Sequence, residues 1–391
     1  MTGALGAGGT TWLCAATASF GLEAVVRAEI TALGIAVTGT EDRRVFFTAT
    51  AREIARCNLW LRSADRVLLE AGSLDAPDFG ALYEGVRALP WRDLLGRAAA
   101  VTVNARSARS ALTAVPSVQS VTKKAIMDCM SGGTERRVDE SGPAYDVELV
   151  LTDDRARVFL DTTGPGLHKR GYRKAAGAAP LRETLAAGLV LLSRWDASRP
   201  LADPLCGSGT IPIEAALIAT TTAPGLGRGF AAEQWPLLPA AAWKEERERA
   251  HAARTRAPAS IKGSDRDAAL VSVAAQNARA AGVAETIEFR AAALADFRPE
   301  GDFGCLVCNP PYGERLGDLH QARELAATLG MVFRSAPSWS LFALSADEEF
   351  PRYFGARASR NRKLYNGNIR CWLYQYFGPL PREGGPAREE S

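Results

Sequence analysis

The chain has 391 residues, 47% of them hydrophobic and 23% charged, and its formal net charge is +3. This length predicts roughly two or three domains, and no apolar run reaches the ~18 residues of a membrane span. Its 3 histidines and 7 scattered cysteines argue against a metal site and against disulfides, which favours the cytoplasm. The start of the chain also lacks the basic and apolar regions of a signal peptide.

The first third of the chain predicts two small α/β segments in succession. Residues 1–67 alternate strand, helix, strand, helix and strand, which is typical of a ferredoxin-like unit. These elements are predicted over 12–17, 21–33, 44–48, 53–61 and 66–71. Residues 68–163 form the second segment, with helices over 79–89 and 115–130 and strands over 99–104, 146–151 and 157–161.

Two stretches of the chain, 164–182 and 352–370, contain several cations and no acidic residue. The second also alternates its cations with aromatic side chains, a mixture that suits an RNA backbone and unstacked bases. A solvated linker and a solvated hairpin are the simpler alternatives. We expect RNA contacts from Lys169, Arg170 and Arg173 of the first stretch, which we treat as a basic linker, and from Lys363 of the second.

A strand, a glycine turn and a helix follow one another over residues 201–220. The turn reads Asp-Pro-Leu-Cys-Gly-Ser-Gly-Thr, and its glycines and the helix's free N–H groups suit a nucleotide-type ligand. The dinucleotide and phosphate-loop motifs are both missing from this turn. The strand over 261–267 ends in acidic residues, and one such carboxylate can accept hydrogen bonds from both ribose hydroxyls. Asp265 is the first choice and Asp267 the reserve.

Residues 303–308 form a short apolar run that predicts a buried strand. Asn-Pro-Pro-Tyr follows at 309–312, and two prolines cannot continue a ladder, so the chain leaves the sheet there. Open α/β sheets bind ligands at the carboxyl ends of their strands, so these residues lie beside a ligand crevice. A plain Asn-Pro turn is the simpler alternative. The Asn366-Gly367 pair predicts a closing hairpin.

These motifs together resemble one enzyme family. The sequence at 203–210 resembles the S-adenosylmethionine loop of class I methyltransferases, and Asn-Pro-Pro-Tyr with the following Gly-Glu-Arg-Leu-Gly resembles the amino-methyltransferase motif. Residues 68–163 resemble a THUMP domain, an RNA-binding module. With Lys-Leu-Tyr-Asn-Gly at 363–367, the chain resembles THUMP-containing RNA guanine-N2 methyltransferases of the RlmL type, some of which were formerly described as adenine-N6 DNA methylases.

The resemblance implies a Rossmann-like class I methyltransferase domain of α/β class at 183–381, followed by a polar tail at 382–391. It implies S-adenosylmethionine as cofactor, RNA as partner (large-subunit ribosomal RNA in particular), and neither a metal nor a membrane. The implied cofactor-binding residues are Asp203, Cys206, Gly207, Gly209, Thr210, Asp265, Asp296, Arg182, Glu183 and Thr184. The implied catalytic residues are Asn309, Pro310 and Tyr312. We place residues 182–184 in the exposed first turn of a helix that begins near Pro180.

Three functions stay open from the sequence. The first is an RNA guanine-N2 methyltransferase that acts on 23S ribosomal RNA. The second is a transfer-RNA guanine-N2 enzyme or an adenine-N6 DNA or RNA methyltransferase, since the latter also uses Asn-Pro-Pro-Tyr. The third is a non-catalytic RNA-binding factor in ribosome assembly. The intact cofactor and target motifs argue against the third function, and the amino-terminal RNA-type module argues against DNA.

Overall fold

The structure, a computed structural model, describes residues 5–6, 9–132, 139–173, 181–256, 260–311 and 318–381. The chain folds into two compact units. The first unit consists of Met1–Ala18, Val26–Leu167 and Ala223–Ala252. The second consists of Ser19–Val25, His168–Thr222 and Ala253–Ser391. Each unit is built around one β-sheet with helices packed on it.

The strands of the described chain form two sheets, one in each unit. The first sheet contains β1 (Leu5–Gly6), β2 (Gly9–Ala18), β3 (Val37–Glu41), β4 (Arg44–Thr50), β5 (Ala64–Asp75), β6 (Ala98–Ala108), β7 (Asp139–Thr152) and β8 (Arg155–Asp161). The second contains β9 (Leu201–Asp203), β10 (Ile261–Asp265), β11 (Ile287–Ala291), β12 (Cys305–Cys308), β13 (Ser340–Ser345), β14 (Arg360–Asn366) and β15 (Ile369–Tyr376).

The helices lie between these strands along the chain. They are α1 (Glu23–Ala32), α2 (Ala51–Trp60), α3 (Phe79–Arg87), α4 (Trp91–Leu95), α5 (Val115–Ser131), α6 (Glu183–Leu192), α7 (Thr210–Ala219), α8 (Ala240–Ala252), α9 (Ala268–Ala280), α10 (Asp318–Arg334) and α11 (Phe350–Phe354). The described chain also contains short 3-10 turns at Ala231–Gln234, Ala284–Thr286 and Leu294–Asp296. Among the described residues, no helix combines the length and the apolar character needed to cross a membrane.

In the first sheet the strand order is β3-β4-β2-β5-β8-β7-β6, with β1 paired to β2. The neighbours are antiparallel apart from β6 and β7, which are parallel. β5 pairs with β2 through Ala64–Leu69 and with β8 through Leu68–Asp75. The boundary expected between residues 67 and 68 therefore falls inside one strand, and the ferredoxin-like and THUMP regions share a sheet.

The segment Ala223–Ala252 belongs to the first unit, although the sequence placed it within the methyltransferase domain. Trp235 of this segment stacks on Tyr145 with ring centroids 4.6 Å apart, and its indole N–H donates to the Ala144 carbonyl at 3.1 Å. Glu246 on α8 pairs with Arg56 on α2 at 3.0 Å. Aromatic burial and this ion pair bind the segment to the sheet of the first unit.

In the second sheet the order is β11-β10-β9-β12-β13-β15-β14. The strands from β11 to β13 are parallel, whereas β15 is antiparallel to both β13 and β14. The order reverses at β9, which lies between β10 and β12. This is the topological switch point of an open α/β sheet, where ligands bind beyond the carboxyl ends of the strands. The predicted hairpin turn at Asn366-Gly367 closes the sheet.

Candidate active site

Three polar residues lie at one edge of the second sheet because their strands are parallel and adjacent. Asp203 is the last residue of β9, Asp265 is the last of β10, and Asn309 directly follows β12. Leu201 of β9 is in register with Ile261 of β10 and with Cys305 of β12. The three strands therefore end at the same edge of the sheet, and the sheet brings the predicted cofactor acids and the predicted target amide to its switch point.

The glycine turn between β9 and α7 leaves its outer side open to a ligand. Gly207 has φ +51°, and a side chain built there would meet no atom within 4 Å. Gly209 has φ +83°, and an added Cβ would lie 2.8 Å from the Cβ of Ala274 on α9. The backbone N–H of Cys206 donates to the Ser264 carbonyl at 2.9 Å. Gly209 is thus required for packing, whereas Gly207 exposes the backbone on the open side.

Asp203 is a buried carboxyl group without a cationic partner among the described residues. It is 2% exposed, and its one hydrogen bond there comes from the N–H of Leu205 at 3.1 Å. Burial, with a smaller contribution from the nearby charge of Asp265, raises the pKa of Asp203 to about 8. A buried acid of this kind is stabilised in its charged form by an incoming cation. The ammonium of an amino-acid ligand fits this position.

Asp265 and Asp267 have different surroundings, although the sequence left both open for the ribose. Asp267 caps α9, since its carboxylate accepts the N–H of Ala269 at 2.8 Å. The carboxylate of Asp265 accepts the N–H of Gly207 at 3.0 Å and that of Asp267 at 3.0 Å. A carboxylate has about four acceptor positions, so Asp265 retains capacity for hydroxyl donors at the edge of the glycine turn.

The start of α6 departs from the expected exposed turn. Arg182 is the exposed N-cap residue, but Glu183 and Thr184 are buried. Glu183 lies 2.9 Å from the guanidinium of Arg173, which also donates to the hydroxyl of Thr210 at 2.9 Å. Arg173 therefore links the first residues of α6 and α7. Pro180 lies outside the described residues.

The basic linker is a second correction, because Arg170 does not face solvent. Its side chain is 2% exposed and lies 3.5 Å from the carboxylate of Glu214, which is itself fully buried on α7. The hydroxyl of Tyr172 donates to the same carboxylate at 3.1 Å. A guanidinium held in this way has no surface for a phosphate, and Arg173 is likewise turned towards Glu183. Lys169, by contrast, is exposed.

The remaining predicted residues of the described chain lie at three places in the second unit. Asn309 is half-buried and Pro310 is buried, immediately after β12. Asp296 is exposed in the 3-10 turn that follows β11. Lys363 lies on β14, with its ammonium over two aromatic rings. Tyr312 falls within residues 312–317, outside the part of the chain that the structure describes.

Burial also defines the state of the Cys206 thiol, because it raises the pKa of that group above its usual range. The thiol therefore stays protonated and packs beside the glycine turn instead of acting as a nucleophile. Within the described residues, no group of three or more histidine, cysteine or acidic side chains could hold a metal ion.

Two residues that support the site were not assigned from the sequence. Asn277 on α9 donates its side-chain amide N–H to the Ser208 carbonyl at 3.1 Å and so holds the glycine turn. Glu214 anchors Arg170 and Tyr172. Both carried a signal that could have found them: a polar residue on the apolar face of a helix must be satisfied when that face is buried.

Comparison with known families and proteins covers most of the chain. A model described as the RMKL-like methyltransferase domain matches residues 170–375, the RlmL ferredoxin-like domain matches 14–68, and the THUMP domain matches 76–161. Putative RNA methyltransferase YpsC of Bacillus subtilis (strain 168) is 40% identical over 369 residues, which is 93% of this chain and 96% of that protein.

A longer relative and a solved structure extend the comparison. Ribosomal RNA large subunit methyltransferase K/L of Syntrophotalea carbinolica is 35% identical over 381 residues, covering 92% of this chain and 53% of that protein. The crystal structure of SMU.472, a putative methyltransferase complexed with SAH, has a TM-score of 0.89 and 40% identity, and the match covers 95% of this chain and 99% of that one.

These matches confirm the predicted ferredoxin-like, THUMP and Rossmann-like class I methyltransferase domains. They also confirm S-adenosylmethionine as the cofactor, since SAH is what this donor becomes when it has lost its methyl group. The chain belongs to the RMKL-like family of S-adenosylmethionine-dependent RNA methyltransferases.

Proposed function

We propose that the protein transfers a methyl group from S-adenosylmethionine to the exocyclic N2 amine of a guanine in large-subunit ribosomal RNA. The observation that carries this proposal is the position of Asn309 and Pro310 at the end of β12, beside the strand that ends in Asp203. An amide oxygen and a backbone carbonyl are thereby fixed at the switch point of the sheet, next to the cofactor turn.

The cofactor's amino-acid portion is assigned to the turn after β9. Asp203 accepts hydrogen bonds from the ammonium, and its buried position, with no cationic partner among the residues described, supports this role. Asp265 accepts from the ribose hydroxyls, because Asp267 is already engaged as a helix cap. The surrounding contacts are assigned to Cys206, Gly207, Gly209, Thr210, Arg182, Glu183 and Thr184, and the adenine edge to Asp296.

The target amine is assigned to the Asn309 end of the site. The lone pair of an exocyclic amine is delocalised into the base, which makes the nitrogen a poor nucleophile. The oxygens of the Asn309 side chain and the Pro310 carbonyl accept hydrogen bonds from the two N–H groups of the amine. They thereby favour a pyramidal nitrogen as charge develops. A bound sulfonium supplies an already activated methyl group. Tyr312 is assigned to stack on the flipped-out base and hold the amine in line.

RNA as the substrate is supported by the THUMP domain and by the names of the relatives. Large-subunit RNA is supported by the K/L relative, of which the chain spans about half. The ferredoxin-like and THUMP regions are assigned to substrate selection, with Lys169 and Lys363 as phosphate contacts. We place the protein in the cytoplasm, where its seven cysteines, all free thiols in the structure, stay reduced.

Nucleoside mass spectrometry on a deletion strain tests this function. We expect one N2-methylguanosine to disappear from 23S ribosomal RNA, and to return with the wild-type gene but not with Asn309→Ala. Loss of a methyl group from transfer RNA, or of N6-methyladenine from DNA, would contradict the substrate. Unchanged nucleosides in all three nucleic acids would contradict the activity.

A further inference from the structure

Two distant parts of the chain contribute an aromatic pair and a lysine that lie together on the second unit. The rings of Phe20 and Tyr365 meet edge to face, with centroids 5.7 Å apart at 88°. The ammonium of Lys363 lies 5.7 Å from the Phe20 centroid and 5.5 Å from that of Tyr365. Phe20 is 38% exposed, so this aromatic group is accessible from solvent.

The position of Phe20 is fixed by its neighbour Gly21. Gly21 has φ +87°, and an added Cβ would lie 2.5 Å from the Lys363 carbonyl oxygen, so only glycine allows this close approach to β14. Arg362 donates to the Gly21 carbonyl at 2.9 Å, and the Gly21 N–H donates to the Glu23 carboxylate at 2.9 Å. The segment is therefore held against β14 before any ligand arrives, which lowers the entropic cost of binding.

Lys363 and Tyr365 lie on the same face of β14, since side chains alternate along a strand and Leu364 between them is fully buried. Glu23 accepts the N–H of Gly21, and Glu348 pairs with Arg370 at 2.5 Å. The face therefore combines π surfaces with positive charge, which is the combination that binds single-stranded nucleic acid.

The register of the sheet places this face on the same edge as Asn309. Ser345, the last residue of β13, is level with Trp372, which pairs with Lys363. Residues 363–366 therefore reach the carboxyl edge of the parallel strands. β14 is three strands from β12, or about 14 Å at the usual strand spacing. It lies on the side of β12 away from β9 and the cofactor turn.

We propose that Phe20, Tyr365 and Lys363 form a stacking platform for an unpaired base of the RNA substrate, one that flanks the target nucleotide. One of the two perpendicular rings stacks on the face of the base, the other packs against the edge of the base, and Lys363 neutralises the adjoining phosphate. This platform deepens the proposed function and rests on it, because a flanking base is bound only if RNA is the substrate.

Two matched oligonucleotides test the platform. One is a single-stranded RNA with a central 2-aminopurine, whose fluorescence is quenched by stacking, and the other has an abasic site at that position and the same phosphates. We expect the wild-type protein to quench the fluorescence and to bind the abasic RNA about tenfold more weakly. Phe20→Leu, which keeps an apolar side chain but removes the ring, should bind both RNAs equally.

Tyr365→Leu supplies a second removal of a ring, in case Phe20→Leu fails to fold. Met331→Ala on α10 is the control, because Met331 is a 60% exposed apolar side chain that is not part of the platform. Lys363→Met should weaken the binding of both RNAs by the same factor. A preference for the intact base that persists in both leucine variants, while the protein still methylates RNA, would overturn the platform alone. A wild-type protein that binds neither RNA would overturn the RNA substrate as well.

Discussion

The two basic stretches of the chain look alike in sequence and differ in the folded protein. In the linker, Arg170 is buried against Glu214 and Arg173 is turned towards Glu183. In the hairpin, Lys363 lies on a half-buried strand face over two aromatic rings. The arginines of the first stretch form ion pairs within the protein, whereas Lys363 of the second places its charge at the edge of the sheet where the site lies.

A run of cations therefore predicts an RNA-binding surface only where the cations do not form ion pairs with buried acids. Glu214 lies on α7, which is apolar on all sides, so its carboxylate needs a cation from elsewhere in the chain. Arg170 supplies it from 44 residues away. The ammonium of Lys363 instead lies over the rings of Phe20 and Tyr365.

The largest expected effect comes from removing the buried ion pair between Arg170 and Glu214. Arg170→Met leaves the Glu214 carboxylate buried without its cation, which should destabilise the second unit by about 3–5 kcal/mol. Thermal denaturation followed by tryptophan fluorescence measures the loss. Lys363→Met is the matched control and should change stability by less than about 0.5 kcal/mol.

A double variant separates loss of charge from loss of packing. Arg170→Met with Glu214→Leu removes both charges and should recover most of the stability, because apolar pairs of similar volume replace buried ion pairs well. If the single variant is as stable as the wild type, Arg170 is not the partner that Glu214 requires, and the linker regains its place as a candidate RNA contact.

The next effect concerns Asp203, the buried acid that pairs with no arginine in the part of the chain that the structure describes. Burial raises its pKa to about 8, so the Asp203 carboxyl group is protonated at neutral pH before the cofactor binds. A cofactor ammonium requires the carboxylate, and binding must therefore release a proton below pH 8. Cofactor affinity should rise up to about tenfold between pH 6 and pH 7, since each pH unit in this window removes a tenfold penalty.

Calorimetry in buffers of different ionisation enthalpy measures that proton. We expect about one proton released per cofactor at pH 7 in the wild type, because the carboxyl group must ionise on binding. Asp203→Asn should release none, bind at least tenfold more weakly, and lose the pH dependence over this range. A wild-type affinity that is constant from pH 6 to pH 8 would contradict the assignment of the ammonium to Asp203.

The smallest effect is in the salt dependence of RNA binding. Lys169→Met and Lys363→Met should each lower the log–log slope by about 0.7, the value for one phosphate contact on a single strand. Arg173→Met should leave the slope unchanged but weaken cofactor binding, since Arg173 holds Thr210 at the start of α7. A lower slope in Arg173→Met, with cofactor affinity intact, would return the linker arginines to the RNA surface.

The sequence predicted the parts of the site that depend on local order. Asp203, the glycine turn and α7 follow one another within a few residues, as do β12 and Asn309, so strand ends and turns identify them. The polar edge strand β3 was missed, because Val-Thr-Gly-Thr-Glu lacks an apolar alternation and is stabilised by pairing with β4.

Contacts between distant residues account for what local patterns did not predict. The burial of Glu183 depends on Arg173, and the place of Ala223–Ala252 in the first unit depends on Trp235 stacking on Tyr145, about ninety residues earlier. Such contacts are set by tertiary packing, which overrides the propensity of an isolated segment. Whether a charged side chain points into the protein or towards solvent is likewise set by tertiary packing.

Single-turnover methyl transfer by Asn309→Ala, with S-adenosylmethionine already bound, tests the central claim most directly. Asn309 is assigned only to the target amine, so cofactor affinity by calorimetry should match the wild type. The transfer rate to RNA from the deletion strain should fall by about 100- to 1,000-fold, the usual cost of removing one preorganised polar group. A variant that keeps a near-normal rate would contradict the role of Asn309 and with it the proposed mechanism.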